Sequence, residues 1–152
     1  MEIDRDGFEV LDRAECLHLL EGAVVGRIAG TCGALPVVFP VGYAVDGDSI
    51  ILRTGRGTDL AFATSRSVVA FEVDNLHERG RSGWTVMVTG MAEEVQDERE
   101  AERLRRLLHD DDDGYEPRLV RISSELISGR RAHRTHRHAR SRAAARAPER
   151  VG

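Results

Sequence analysis

The stretch LPVVFPVGYAVDGDSIILRTGRGTDLA (35–61) decides the fold. It contains two runs rich in β-branched and other apolar residues, 35–45 and 49–54, joined by Asp46-Gly47-Asp48, which has the chemistry of a tight hairpin turn. Pro36 and Pro40 carry no N–H for a sheet ladder. The first run must therefore lie at an edge, be bulged, or open toward something other than a strand, such as a ligand. Gly55-Arg56-Gly57 then breaks the chain. Thr58 is placed to cap a short helix from Asp59 to Thr64, with Leu60, Ala61 and Phe62 as its apolar side.

Working outward, Asp12 and Glu15 have the spacing of a capping box ahead of Leu17, Leu19 and Leu20, which predicts a helix over 12–21 ended by Gly22. The run 23–29, AVVGRIA, pairs with 35–45 as an antiparallel hairpin around Gly30-Thr31-Cys32-Gly33. Downstream, Val69, Phe71 and Val73 alternate with Val68, Ala70 and Glu72 in a strand over 68–73. The charged, glycine-flanked segment 75–83 reads as a loop. Residues 84–95 alternate over more than an average strand length, with Trp84, Val86 and Val88 opposed to Thr85, Met87 and Thr89. Asp97 and Glu100 repeat the capping-box form and open a helix through Leu104, Leu107 and Leu108, which the tract Asp110–Asp113 ends. Residues 118–123 read as a last strand, and 125–129 finish the globular part. Six short strands and two or three short helices, with no helix between most strands, predict a mainly β antiparallel barrel with satellites.

All 22 basic residues are arginine, so chemistry that needs a Schiff-base lysine or a P-loop lysine is excluded. Charge is unevenly placed: residues 1–129 balance at −11, and 130–152 at +7. From His133 onward the chain is Arg, Ala and His with almost no large apolar side chain, and ordering it would cost more entropy than burial returns. One domain over 1–131 and a disordered tail over 132–152 are expected. His133, His136 and His138 sit among arginines that repel cations, so this pattern is read as composition and no metal site is expected. Cys16 and Cys32 are too few for a disulfide framework and fit a reducing compartment. The chain opens without a basic-then-apolar leader and has no apolar run of membrane-span length, so a soluble cytoplasmic protein is expected.

The segment Arg53-Thr54-Gly55-Arg56-Gly57-Thr58-Asp59-Leu60 is where a strand ends, glycines admit a close ligand, and a helix begins with free amides suited to a phosphate. Its local pattern equally suits an ordinary strand-to-helix turn. Trp84, the one tryptophan, either lies against a planar ligand or closes one end of the barrel, and Tyr43 has the same two readings. His18, beside three leucines, reads as a packed or surface residue. Nucleophile motifs and zinc spacings are absent, so any catalysis must draw its reactivity from a cofactor.

These pieces in order, VGRIAG (25–30), PVVFPVGYAVDGDSIILRTGRGTDLA (36–61), VVAFEVD (68–74), GWTVMVTGMAEEV (83–95) and VRISSELISGRR (120–131), resemble the pyridoxamine 5'-phosphate oxidase-like flavin-binding split-barrel proteins. The resemblance is to their small actinobacterial, nitroimidazole-resistance-like members. It implies a homodimeric split β-barrel with two FMN sites at the subunit interface, and a flavin-dependent oxidoreductase acting on a small organic substrate. Carried over by position, Phe39, Pro40, Val41, Gly42 and Tyr43 run beside the isoalloxazine, and Arg53 and Thr54 follow the ribityl chain. Thr58, Asp59 and Leu60 meet the phosphate, with Arg56 adding charge. Trp84 and Thr85 reach the flavin of the other subunit, and Arg130 and Arg131 face the interface. Asp59 departs from the pattern, since relatives commonly carry lysine there, and its carboxylate repels a phosphate unless it turns away. Asparagine is also frequent where Gly42 stands. A deazaflavin or haem in the same cleft, or a barrel acting by interaction alone, are the alternatives the same fold allows.

Overall fold

The computed structural model describes residues 1–77, 82–108 and 117–132. The hairpin at the centre of the sequence is its organising feature. Strand β3 (Val25–Cys32) pairs with β4 (Leu35–Asp46) through a two-residue turn, Gly33-Ala34, whose residues both have positive φ (53° and 68°). That geometry matches the twist of the flanking strands. A second two-residue turn, Gly47-Asp48, leads from β4 to β5 (Ser49–Thr54).

The remaining strands are β1 (Glu2–Ile3), β2 (Glu9–Leu11), β6 (Ser67–His77), β7 (Ser82–Glu94), β8 (Arg118–Ile122) and β9 (Leu126–Ala132). The helices are α1 (Arg13–Glu21), α2 (Asp59–Ala63) and α3 (Glu98–Arg105). The sheet runs β1-β2-β9-β7-β6-β3-β4-β5-β8, and β7 also pairs with β8. That extra pairing closes β7, β6, β3, β4, β5 and β8 into a six-stranded antiparallel barrel, as the alternating runs predict, with β9, β2 and β1 as an extension from β7. Among the described residues no helix is long and apolar enough to cross a membrane.

Closure depends on Gly90. Strand β7 pairs with β9 over Gly83–Thr89 and with β8 over Ala92–Glu94, so it changes partner around Gly90. There the link between β8 and β9 crosses it: Ser123 N–H donates to the Met91 carbonyl (3.1 Å), and Met91 N–H donates to Ser123 Oγ (3.2 Å). A Cβ at residue 90 would lie 1.8 Å from the Ser123 carbonyl oxygen, so only glycine admits the crossing.

Inward residues of the barrel, among them Ile28, Ile50, Leu52, Phe71, Val86, Val88 and Ile122, form the main core with Cys16 and Leu20 of α1. The Asp12–Glu15 capping box of α1 is present in both directions. A second, smaller cluster lies outside the barrel, where Ala101, Leu104 and Leu108 pack on Ile51 and Leu119.

Several sequence expectations need correction. Of the segment 75–83, read as a loop, residues 75–77 belong to β6 and 82–83 to β7, with Asn75 opposite Trp84, while 78–81 lie outside the described residues. Residues 125–129, read as finishing the globular part, fall mostly within a further strand, β9, which runs on to Ala132, and two N-terminal strands pass unrecognised. Thr31 and Cys32 belong to β3, so the hairpin turn is shorter than predicted. Asp97 caps α3, but Glu100 directs its carboxylate to arginines and the helix ends at Arg105, before Leu107 and Leu108. The acidic tract Asp110–Asp113 and the tail beyond Ala132 lie outside the described residues.

Candidate functional site

Next to the Gly33-Ala34 turn, Cys32 faces Leu35, and pairs alternate from there between hydrogen-bonded and open positions. Pro36 and Pro40, opposite Thr31 and Arg27, fall at open positions. The donors they lack would have pointed away from β3, so neither proline costs a ladder bond. On the other side, β4 pairs with β5 only from Tyr43 to Asp46. Beyond Tyr43–Leu52 the two strands separate, leaving the β4 backbone before Tyr43 with an open edge.

A cavity of about 520 Å³ occupies this split. Pro40, Val41, Gly42 and Tyr43 border it along β4, with Val24 beside them. Arg53, Thr54 and Gly55 face them from the end of β5, together with Leu60 of α2. Leu108, just after α3, and Pro117, just before β8, complete the wall. The volume falls within the ~300–1,000 Å³ of small-molecule sites. Among the described residues its character is mixed: aliphatic side chains, the Arg53 guanidinium, the buried Thr54 hydroxyl and the open edge of β4.

Thr54 and Thr58 form the polar corner. Their hydroxyls are 3.0 Å apart and both reach the Gly55 carbonyl, at 3.3 and 2.9 Å. Thr58 Oγ1 also accepts from Ala61 N–H (3.1 Å), which is the predicted cap of α2. Asp59 is exposed, and Cys32 Sγ donates to its Oδ1 at 3.8 Å. Arg56 is exposed, and its charge helps hold the Glu94 carboxyl below its ordinary range, after the larger contribution of the Arg118 hydrogen bond.

The other candidates lie elsewhere in the chain. Phe39 packs against the main core and does not border the cavity. Tyr43 borders it, yet its ring meets Phe71 edge-on with centroids 4.9 Å apart, and its hydroxyl donates to the Leu20 carbonyl. Burial pushes the Tyr43 phenol up to about 12. Trp84 is half-buried against the core, and Thr85 donates to Glu72 Oε1 at 3.1 Å; both are on β7, away from the cavity of their own chain. Arg130 pairs with Asp4 (3.3 Å) and Asp6 (3.7 Å), and Arg131 with Glu9 (3.1 Å) and Glu15 (3.6 Å). Both arginines thus fasten the N-terminal segment to β9. Gly55, read from sequence as one of the glycines that admit a ligand, borders the cavity, whereas Val24, Leu108 and Pro117 were not singled out as site residues. Leu108 carried one signal, the apolar spacing that continues from Leu104.

The cavity can bind and orient a ligand and exclude water. No group of three or more histidines, cysteines, aspartates or glutamates able to hold a metal occurs among the described residues. The residues fit a flavin: an open strand edge offers backbone groups to a heterocycle, aliphatic walls suit its rings, and Arg53 with Thr54 suits a polar chain and an anion.

A six-stranded barrel split between β4 and β5, with its cleft at the split, defines a class of small-ligand-binding proteins. The family model described as pyridoxamine 5'-phosphate oxidase matches residues 12–131, and the chain belongs to that family. It is 38% identical over 124 residues to the uncharacterized protein Rv0080 of Mycobacterium tuberculosis, covering 78% of this chain and 82% of that one. Its structure is similar to that of the FAD binding protein from Mycobacterium smegmatis, with a TM-score of 0.69, 31% identity, and coverage of 81% of this chain and 96% of that chain. It is also similar to an FAD-binding protein from Mesorhizobium loti, with a TM-score of 0.69, 27% identity, and coverage of 83% and 99%. The family resemblance read from the five sequence segments is thereby shown.

Proposed function

We propose that this protein is a flavin-dependent oxidoreductase that binds FMN in the β4–β5 split and acts on a small organic substrate. The observation that carries the reading is the open edge of β4 facing Arg53 and Thr54 across a cavity of about 520 Å³. When bound, a flavin supplies the redox chemistry, accepting electrons from one partner and passing them to another. The chain's own residues hold it. Backbone groups around Pro40 and Gly42 address the heterocycle, Val41, Leu60 and Leu108 exclude water from it, and Arg53 and Thr54 hold the polar chain. Among the described residues that border the cavity, none is poised as a general acid or base, since the Tyr43 phenol is kept neutral by burial and its proton is held on Leu20.

The reading includes a homodimer. On the outer face of the sheet, Val38, Ala29, Ala70, Thr89 and Leu126 stand in one cross-strand row. Val38 and Leu126 at its ends are 63% and 68% exposed, with exposed Val68 and Met87 beside it. A second copy on this face would cover the row, and Trp84 and Thr85 are the residues this reading extends to the partner's flavin. Two free thiols, Cys16 and Cys32, accord with a cytoplasmic location.

Asp59 favours a second reading of the ligand. A carboxylate beside Leu60 weakens a site for the dianionic phosphate of FMN, and the similar proteins from M. smegmatis and M. loti bind FAD. The test is the visible spectrum of the protein purified without added cofactor, followed by titration with FMN, FAD, a deazaflavin and haem, monitored through Trp84 fluorescence. Saturable quenching by FMN supports the first reading, and quenching by FAD alone replaces FMN. Indifference to all four ligands rejects a flavin enzyme and leaves a barrel that acts by interaction.

A further inference from the structure

The wall that Leu108 contributes is attached unusually. Helix α3 rests on the barrel through a small apolar cluster, Ala101, Leu104 and Leu108 against Ile51 and Leu119, separate from the main core. Beside it lies a closed ring of four charges from three elements. Arg103 of α3 forks onto Asp46 at the end of β4, with Nη1–Oδ1 2.9 Å and Nη2–Oδ2 2.8 Å. Its Nε and Nη2 also reach Glu100, at 3.0 and 2.6 Å. Arg121 of β8 completes the ring with bonds to Asp46 (3.1 Å) and Glu100 (2.8 Å).

We propose that this ring is an ionic latch: it holds α3 against β5 and β8 so that Leu108 closes the cavity, and ligand release requires the latch to loosen. The proposal rests on the reading of the cavity as the flavin site. Three observations support it. The two bidentate contacts of Arg103 hold a fixed geometry that an isolated surface pair does not. The ring joins the helix to the end of β4 and to β8, whereas the Arg105–Glu98 pair stays within α3. The apolar contact beneath α3 is small enough that the helix can open locally while the barrel stays folded. The ring's side chains are 21–50% exposed, so salt can reach it.

The test measures FMN dissociation and backbone amide exchange in the full chain, for wild type, Asp46→Asn, Arg103→Gln and the control Arg105→Gln. The latch predicts at least tenfold faster FMN release and faster exchange at Leu107 and Leu108 in the first two variants, with the control within twofold of wild type. Raising salt from about 0.01 M to about 1 M, which shortens screening from roughly 30 to 3 Å, should speed release from wild type more than from Arg103→Gln. Release within twofold of wild type from Asp46→Asn overturns the latch, as does unchanged exchange at Leu107 and Leu108. Should wild type bind no flavin, the functional reading fails by itself. The exchange data then decide whether the ring fastens α3.

Discussion

Tyr43 shows how a strand residue can border a site and still belong to the core. Its strand presents Phe39, Val41 and Tyr43 to the barrel interior, while the intervening Pro40 and Gly42 leave their backbone at the split. The family resemblance placed 39–43 along the ligand as a run; the two-residue period of a strand divides that run between core and cleft. The phenol pKa is raised from 10.0 to about 12 by burial, so the neutral form is favoured in the folded state. The resulting stability is complete below pH 10 and is lost as pH rises toward about 12. With no lysine in the chain, that window is free of lysine titration. Thermal melts should fall between about pH 10 and 12 in wild type and fall less in Tyr43→Phe, which lacks the ionisable group. At pH 7 the same variant should be less stable by about 1 kcal/mol, because the Leu20 carbonyl loses the phenolic donor and keeps only its backbone one. Asp59 gives a second prediction. Replacing it with asparagine removes one negative charge near the proposed phosphate position, worth on the order of 1 kcal/mol at an exposed site. FMN should bind Asp59→Asn about five- to tenfold more tightly, and equal affinity in a fluorescence titration would remove Asp59 from the account.

Elements were legible where apolar alternation was intact and illegible where another feature replaced it. The hairpin β3–β4, strand β7 and helix α1 follow directly from alternation, turn chemistry and capping. Strand β9 does not. Its inward positions are Ile127, Gly129 and Arg131, and a Cβ at Gly129 would lie 2.5 Å from Cys16 Sγ. A glycine stands where α1 presses on the sheet, so the apolar signal disappears from the strand. Strands β1 and β2 are short and acidic, and are held by Arg130 and Arg131, which no local pattern links to Asp4 or Glu9. The cavity was legible in its two strand segments and the start of α2. Leu108 and Pro117 come to it only through the tertiary path of α3 and β8. Gly90 supports that path, since β7 exchanges β9 for β8 there. Gly90→Ala should cost about 3 kcal/mol, because the obstructing atom is backbone and cannot rotate away. A fall in melting temperature of about 10 °C is expected, and a change under about 2 °C would show that the crossing can shift to admit a side chain.

At the scale of the molecule, the face that β3, β6, β7 and β9 turn outward is distinctive. Most positions on it carry small or apolar residues, interrupted by an ionic group in which Arg27 reaches Glu72 (3.0 Å) and Asp74 (2.7 Å) and, on β9, by Arg130 with its partners Asp4 and Asp6. Apolar surface spread over four strands is what self-association buries, and a self-complementary patch on one chain yields a two-fold dimer. An interface of standard size buries about 1,600 Å² in total, which a four-strand face can supply. The same association would bring Trp84 and Thr85, otherwise idle with respect to their own cavity, near that of a second copy. Ala70 is central in the row between Val38 and Leu126, half-buried and outward-facing. Substituting glutamate there puts an unpaired charge in the middle of the proposed contact but leaves the barrel interior untouched. Sedimentation of wild type should report twice the mass of one chain, and Ala70→Glu should report one. If flavin sites are shared between subunits, the monomeric variant should also lose most of its flavin affinity despite an unaltered β4–β5 split. A monomeric wild type would separate the site from any interface. Tight flavin binding by monomeric Ala70→Glu would show that the residues of one chain suffice.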